Sequence, residues 1–269
     1  MTNQLRINKL ETEKYNLYDG EIVLEYNDDK HTYKEDSKIV YGVTSIAGII
    51  SKPALIPWAV NCMRDRLRAE QEEMGWKAFA ENFVKIVEMA KGERSSVSEV
   101  AKELGTRVHD MAERWQTKGA DHVKLMREML ETKSKEERLS YTALLQFFSD
   151  YEFKPISLET KCFSRKHRYA GTVDYYGEID GKLTVMDYKT SKAVYEGYPL
   201  QATAYASALL EEGYKVDQTM ITRVGKDGVL EVVIEKDWKK YLPIFLSAKT
   251  LYEYRMSLKS QKYKNKNKK

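Results

Sequence analysis

Four residues, Ile179-Asp180-Gly181-Lys182, constrain the fold more tightly than any other stretch of the chain. Asp-Gly suits the two central positions of a type I′ hairpin, where both residues need positive φ. The flanks, GTVDYYGEI before and KLTVMDYKT after, are rich in β-branched and aromatic residues and read as strands. A two-residue loop sets Ile179 opposite Lys182, and the rest of the register follows. Counted along it, Asp174 falls opposite Asp187, with Cβ atoms about 5 Å apart. Like charges so placed destabilise a sheet. Lys189 lies two residues beyond Asp187 and shares its face. Two carboxylates and an ammonium therefore meet at one end of an otherwise apolar strand pair. A divalent cation resolves the repulsion, and oxygen ligands suit Mg²⁺ or Mn²⁺. An ion-paired cluster at a sheet edge is the alternative.

The rest of the chain supplies the setting. Residues 21–34 read as two short strands around Asn27-Asp28-Asp29, and IVYGVTSIAGII (39–50) as a further β-rich stretch punctuated by Gly42 and Gly48. Pro53 opens a helical pattern, and a second helical stretch covers 77–90. Ser96-Val97-Ser98-Glu99 has the form of a capping box and predicts the start of a third helix. On it Val97, Val100, Leu104, Val108, Met111 and Trp115 make one apolar stripe. Helices near 121–132 and 135–151 precede strands over 156–161, 171–179 and 182–190. Pro199 sits in the first turn of another helix, which Gly213 ends. Strands near 216–224 and 229–235 and a long helix over 238–258 complete the pattern. This order predicts an α/β fold, a mixed central β-sheet flanked by helices with a helical N-terminal region. It divides into a β-rich segment 1–53, a helical region 54–151, a core 152–258 and a basic tail 259–269 expected to be disordered.

Composition removes several classes of function. The chain has 269 residues and two cysteines, Cys62 and Cys162, so a disulfide framework is not expected and a four-cysteine iron–sulfur site cannot form. No apolar run approaches the roughly 18 residues that span a bilayer. The first residues, MTNQLRINKLETEK, carry no apolar signal segment, and a cytoplasmic protein without membrane partners is expected. The formal net charge of +4 rests on the tail, where residues 259–269 hold six lysines and no acid. Attraction to a polyanion must come from that tail and from local patches.

Two further residues are candidates for the same cluster. Glu159, in ISLETK on the strand before the hairpin, lines up beside Asp174 if the strands are neighbours. A lone strand glutamate is otherwise simply exposed. His109, in GTRVHDMAERW, stands at the edge of the apolar stripe beside the small residues Ala101, Gly105 and Ala112, which let a helix approach a sheet closely. A neutral imidazole is a good ligand for Mn²⁺, although a helix histidine is more often structural.

Taken in order, GTRVH (105–109), Glu159 in LET, GTVD (171–174), DYKT (187–190) and QATAY (201–205) resemble the motifs of the PD-(D/E)XK nuclease superfamily. The likeness is to the branch of RecB-type exonucleases, which includes CRISPR-adaptation nucleases and the mitochondrial genome maintenance exonuclease. It covers about 100 residues, roughly 105–205. The stretch from His31 to Ala59 is more loosely similar to the lead-in of phage-encoded members. The resemblance implies a restriction-endonuclease-like core and a Mg²⁺- or Mn²⁺-dependent DNA exonuclease without an iron–sulfur cluster. It implies His109, Asp174 and Asp187 as metal ligands, with the Tyr188 carbonyl as a further one and Glu159 at the metal edge. Lys189 is implied to orient the attacking water or to stabilise phosphate charge. Gln201 and Tyr205, four apart on one helix face, are implied to hold the site and the strand, with Thr190 beside them. Trp58, Arg64, Arg66 and Arg68 are candidates for DNA contact from the helical region. A single-strand annealing or binding protein is the implied partner, in phage recombination, replication or DNA breakdown. A structure-specific endonuclease, an RNA-directed enzyme and a non-catalytic binding module stay open as alternatives.

Overall fold

The computed structural model describes residues 12–50, 55–132 and 134–266. The chain enters as an antiparallel meander of four short strands, β1 (Thr12–Leu17), β2 (Ile22–Asn27), β3 (Thr32–Glu35) and β4 (Lys38–Gly42). Its alternating inward residues Leu24, Tyr26, Tyr33 and Val40 pack with Phe163 and Ala170. The β-rich reading of 39–50 ends early: Val43–Ala47 is a short helix, α1. Val43, Ile46 and Ala47 are its buried residues. They recur at i, i+3 and i+4, and a short apolar run carries both periods until packing decides.

Residues 51–54, where Pro53 was expected to open a helix, lie outside the described residues. Helix α2 (Leu55–Glu81) is broken at Gly75, whose φ of 75° only glycine adopts readily. Helix α3 (Phe83–Gln116) follows. It runs unbroken through 96–99, so the capping-box pattern there does not start a helix. Good helix formers on either side, such as Lys85, Glu88, Lys91 and Lys102, carry the helix across it. The apolar stripe is divided accordingly. Leu104, Val108 and Met111 are buried, whereas Val97 and Val100 are exposed. Helices α4 (His122–Glu131) and α5 (Lys135–Asp150) begin at side-chain caps: Asp121 accepts from the Lys124 N–H and Ser134 from the Glu137 N–H.

Next come β5 (Phe153–Ser164), β6 (Tyr169–Ile179), β7 (Lys182–Lys189), α6 (Gly197–Glu211), β8 (Gln218–Val224) and β9 (Leu230–Glu235). A 3₁₀ turn at Trp238–Tyr241 leads into α7 (Leu242–Lys266). Helix α7 continues into the tail expected to be disordered, as far as Lys266.

The nine strands form one mixed sheet in the order β1-β2-β3-β4-β6-β7-β8-β9, with β5 on the other edge of β6. One face packs on α1, α6 and α7 through Val43, Ile46, Val173, Tyr176, Val185, Leu200, Ala204 and Phe245. The other packs on α3, α4 and α5 through Leu104, Val108, Met129, Leu144, Phe147, Tyr175, Met186 and Met220. This is a sheet between two helical layers, the architecture of a restriction-endonuclease-like core. Among the described residues no helix is long and apolar enough to cross a membrane.

Candidate active site

The hairpin closes as its sequence dictates. Asp180 and Gly181 have φ of 48° and 73°, and Ile179 pairs with Lys182. The ladder runs out at Tyr175 and Met186, one pair before the two aspartates. Strand β6 carries β5 along one edge, so β4 and β7 must share the other. There β4 takes only Tyr169 and Ala170, and β7 takes residues 175–179. Between them the β6 edge is left open over 171–174. Val173 and Tyr176 face the α6 layer whereas Tyr175 faces the α3 layer, so alternation slips by one residue at Asp174-Tyr175. A slip of this kind re-aims side chains at an active site.

Asp174 fills the opening. Its Oδ2 accepts the Tyr188 N–H at 2.8 Å and stands 3.3 Å from His109 Nδ1. The N–H and C=O of one strand residue leave on the same edge, so the Tyr188 carbonyl faces the same gap. His109 reaches it because α3 comes close to the end of β7. A Cβ on Gly105 would meet Thr190 Oγ1 at 3.3 Å, and Ala112 is fully buried.

Glu159 completes a trio. On β5 it lies between the pairs Leu158–Tyr175 and Thr160–Val173, directly across from Asp174. Its φ is 48°, a left-handed conformation that a glutamate adopts only at an energetic cost. One ligand atom from each of His109, Glu159 and Asp174 lies within 4.8 Å of the other two. Burial, and then the Asp174 charge, push the Glu159 carboxyl up to about 8, with Lys161 opposing.

Asp187 stands just outside the trio, buried to 1% exposure on the α6 side of β7. Its Oδ2 is ion-paired with Lys189, confirming that the two share a face. Burial raises its pKa to about 6, held there against Lys189, with Asp174 adding to the rise. Burial also opposes the charge on Lys189, but Asp187 and Asp174 outweigh it and keep the ammonium above its usual pKa. The ammonium also lies 5.1 Å over the Tyr198 ring, a cation–π arrangement.

Helix α6 covers this pair. Gln201 Nε2 is 3.2 Å from Asp187 Oδ1, 2.8 Å from Tyr205 Oη and 3.3 Å from Thr44 Oγ1. The Tyr205 ring lies on Gly171, where a Cβ would sit 2.4 Å from its Cε1. The glycine of GTVD is therefore the seat for the tyrosine of QATAY.

Of the expected residues, His109, Glu159 and Asp174 come together at this opening, and Asp187, Lys189, Gln201 and Tyr205 form a network next to it. Glu159, expected at the edge, stands within the trio, and Asp187 turns toward Lys189 and Gln201. Two of the three arginines of α2 are paired within the helix: Arg64 with Asp65, and Arg66 with Glu70. Other residues of the site were not singled out from sequence. Thr44 had no local signal. Tyr198 did, since Tyr198, Gln201 and Tyr205 recur at i, i+3 and i+7 on one face. Glu113, one turn beyond His109 on α3, adds its charge to the shift at Glu159. Gln116 Oε1 accepts the buried Tyr188 hydroxyl at 3.1 Å.

Compared with known proteins, residues 77–260 match the family model described as the PD-(D/E)XK nuclease superfamily. No curated protein matches the chain.

Proposed function

The chain belongs to the PD-(D/E)XK nuclease superfamily, and from that premise we propose that it is a Mg²⁺- or Mn²⁺-dependent DNA exonuclease of the RecB-type branch. One observation carries the reading: His109, Glu159 and Asp174 converge within 4.8 Å, with the Asp187–Lys189 ion pair beside them. An imidazole and two carboxylates fit a hard divalent cation that also accepts nitrogen, Mn²⁺ or Mg²⁺ rather than a thiolate metal. The Tyr188 carbonyl is a further oxygen facing the opening, and Asp187 stands next to it, paired with Lys189. When bound, the cation supplies charge stabilisation at the phosphate and a lowered pKa for water.

The chain's own residues do the rest. Asp174, Glu159 and His109 would hold the cation. His109 is held against Asp174 by the approach of α3 at Gly105. Lys189 keeps its proton because two carboxylates face it, so it presents a fixed positive charge to a scissile phosphate or to the attacking water. Gln201 holds the Asp187 carboxylate in one orientation. Thr190, at the mouth beside Gly105, is positioned to contact the strand. Arg68 and the exposed Trp76 line one groove on α2, a charge and a stacking face suited to single-stranded DNA. A cytoplasmic role in phage recombination, replication or DNA breakdown fits such an enzyme.

A cleavage assay tests this. Linear DNA labelled at the 5′ or 3′ end and circular single-stranded DNA are incubated with Mg²⁺, Mn²⁺ or EDTA. Metal-dependent shortening of linear DNA with circles intact is expected. Cut circles would make the enzyme an endonuclease. No product from any substrate, with DNA still bound, would make it a binding module.

A further inference from the structure

Thr44 comes from α1, outside the 77–260 span that the family model matches, yet its hydroxyl lies in the network that holds Asp187. Tyr205 is buried, 2% exposed. Its hydroxyl oxygen has two partners, Gln201 Nε2 at 2.8 Å and Thr44 Oγ1 at 3.5 Å. Gln201 Nε2 also faces Asp187 Oδ1 at 3.2 Å and Thr44 Oγ1 itself at 3.3 Å, so Thr44 can accept from both side chains. The direction of each bond follows from the inventory of protons. A carboxylate only accepts, so the amide of Gln201 must turn its NH₂ toward Asp187. That same NH₂ donates to the Tyr205 oxygen. The phenolic proton of Tyr205 then has to go elsewhere, and Thr44 Oγ1 is the acceptor within reach.

We propose that Thr44 is a positioning residue for the nuclease centre, the terminal acceptor of a one-way chain Tyr205→Thr44, Gln201→Tyr205, Gln201→Asp187. Without the threonine hydroxyl, the buried phenol either keeps an unpaired proton or donates to the Gln201 carbonyl. The second choice flips the amide and sets a carbonyl oxygen against the Asp187 carboxylate. Either outcome loosens the carboxylate that anchors Lys189. The N-terminal meander thereby has a task at the active centre. Strand β4 joins β6 at Tyr41–Tyr169 and Gly42–Ala170, and that joint delivers α1 and Thr44 to α6.

This inference rests on the nuclease reading above, and the test separates the two. Cleavage and thermal unfolding, the latter in EDTA, are measured for Thr44→Val, Thr44→Ser, Tyr205→Phe and the Thr44→Val/Tyr205→Phe pair. An unpaired buried hydroxyl corresponds to roughly a tenfold loss. Thr44→Val is expected to lower kcat by about that factor with KM unchanged, and Thr44→Ser to restore it. In the Tyr205→Phe background, with no phenolic proton to place and only the Gln201 N–H left to accept, adding Thr44→Val is expected to lower kcat and Tm by clearly less than it does in the wild type. Wild-type kcat in Thr44→Val overturns the inference. So does failure of serine to rescue, or full additivity of the pair in kcat and Tm, since each marks a packing role. An inactive wild-type protein would instead overturn the nuclease reading, and additive Tm losses in EDTA would still judge the hydrogen-bond chain.

Discussion

Replacing Gly171 with alanine perturbs the site without touching any charged group. The backbone there tolerates a side chain, so the effect is one of space. The new Cβ would stand 2.4 Å from Tyr205 Cε1 and 3.0 Å from Cδ1, with Val43 Cγ2 at 3.3 Å on another side. An ordinary carbon–carbon contact begins near 3.5 Å, so the ring must retreat by roughly 1 Å. The ring is buried beneath α6, and its hydroxyl is tied to Gln201 at 2.8 Å. A retreat of that size breaks this hydrogen bond and releases Gln201 from Asp187. Overpacking of this kind costs about 1–3 kcal/mol, equivalent to a Tm lowered by roughly 2–12 °C. A displacement of about 1 Å in the support of a catalytic group lowers turnover on the order of a hundredfold. The assay is metal-dependent DNA cleavage beside thermal unfolding. Gly105→Ala is the graded control, since its Cβ meets only Thr190 Oγ1 at 3.3 Å, and it is expected to lose much less. A Gly171→Ala protein with wild-type kcat and Tm would refute the packing between GTVD and QATAY.

Other outcomes follow from the same geometry. Lys189→Ala is expected to abolish cleavage, to about a thousandfold or below, while the fold and DNA binding persist; a gel with the purified variant checks this, and wild-type rates would remove Lys189 from the chemistry. In EDTA, stability is expected to fall as pH rises from about 4.5, the unfolded value for glutamate, through about 8, because folded Glu159 keeps a proton that the unfolded chain has released. Glu159→Gln should flatten that dependence in urea melts at pH 5 and pH 8, and an unchanged slope would place the titration elsewhere. Deleting residues 259–269 is expected to weaken DNA binding mainly at low salt, read as a shallower dependence of log affinity on log salt concentration; an unchanged slope would exclude the tail from DNA contact.

The parts of this account that sequence revealed are those fixed by local chemistry. Asp180-Gly181 admits one kind of turn, and that turn sets the register that brings Asp174 and Asp187 to the same end of the hairpin. The caps at Asp121 and Ser134 and the Pro199 helix start are equally local. The parts that sequence concealed depend on tertiary context. The left-handed Glu159 has no marker, because nothing in LET distinguishes a regular strand from one that slips opposite Asp174. The run VTSIAG reads as strand until α6 and α7 bury Val43, Ile46 and Ala47 together, and only then does Thr44 arrive at Gln201. The pattern SVSE has the form of a helix start, yet helix formers on both sides carry α3 through it. The motif residues were legible, but which carboxylate stands nearest His109 was decided by the open edge of β6.

The central claim is that the opening around Asp174 is a divalent-cation centre, and a Mn²⁺ titration followed by electron paramagnetic resonance tests it most directly. The wild-type protein is expected to bind Mn²⁺ saturably, with that binding competed by Mg²⁺ and lost in Asp174→Asn while the variant stays folded. Absence of saturable binding in the wild type, or binding unchanged in Asp174→Asn, would contradict the account.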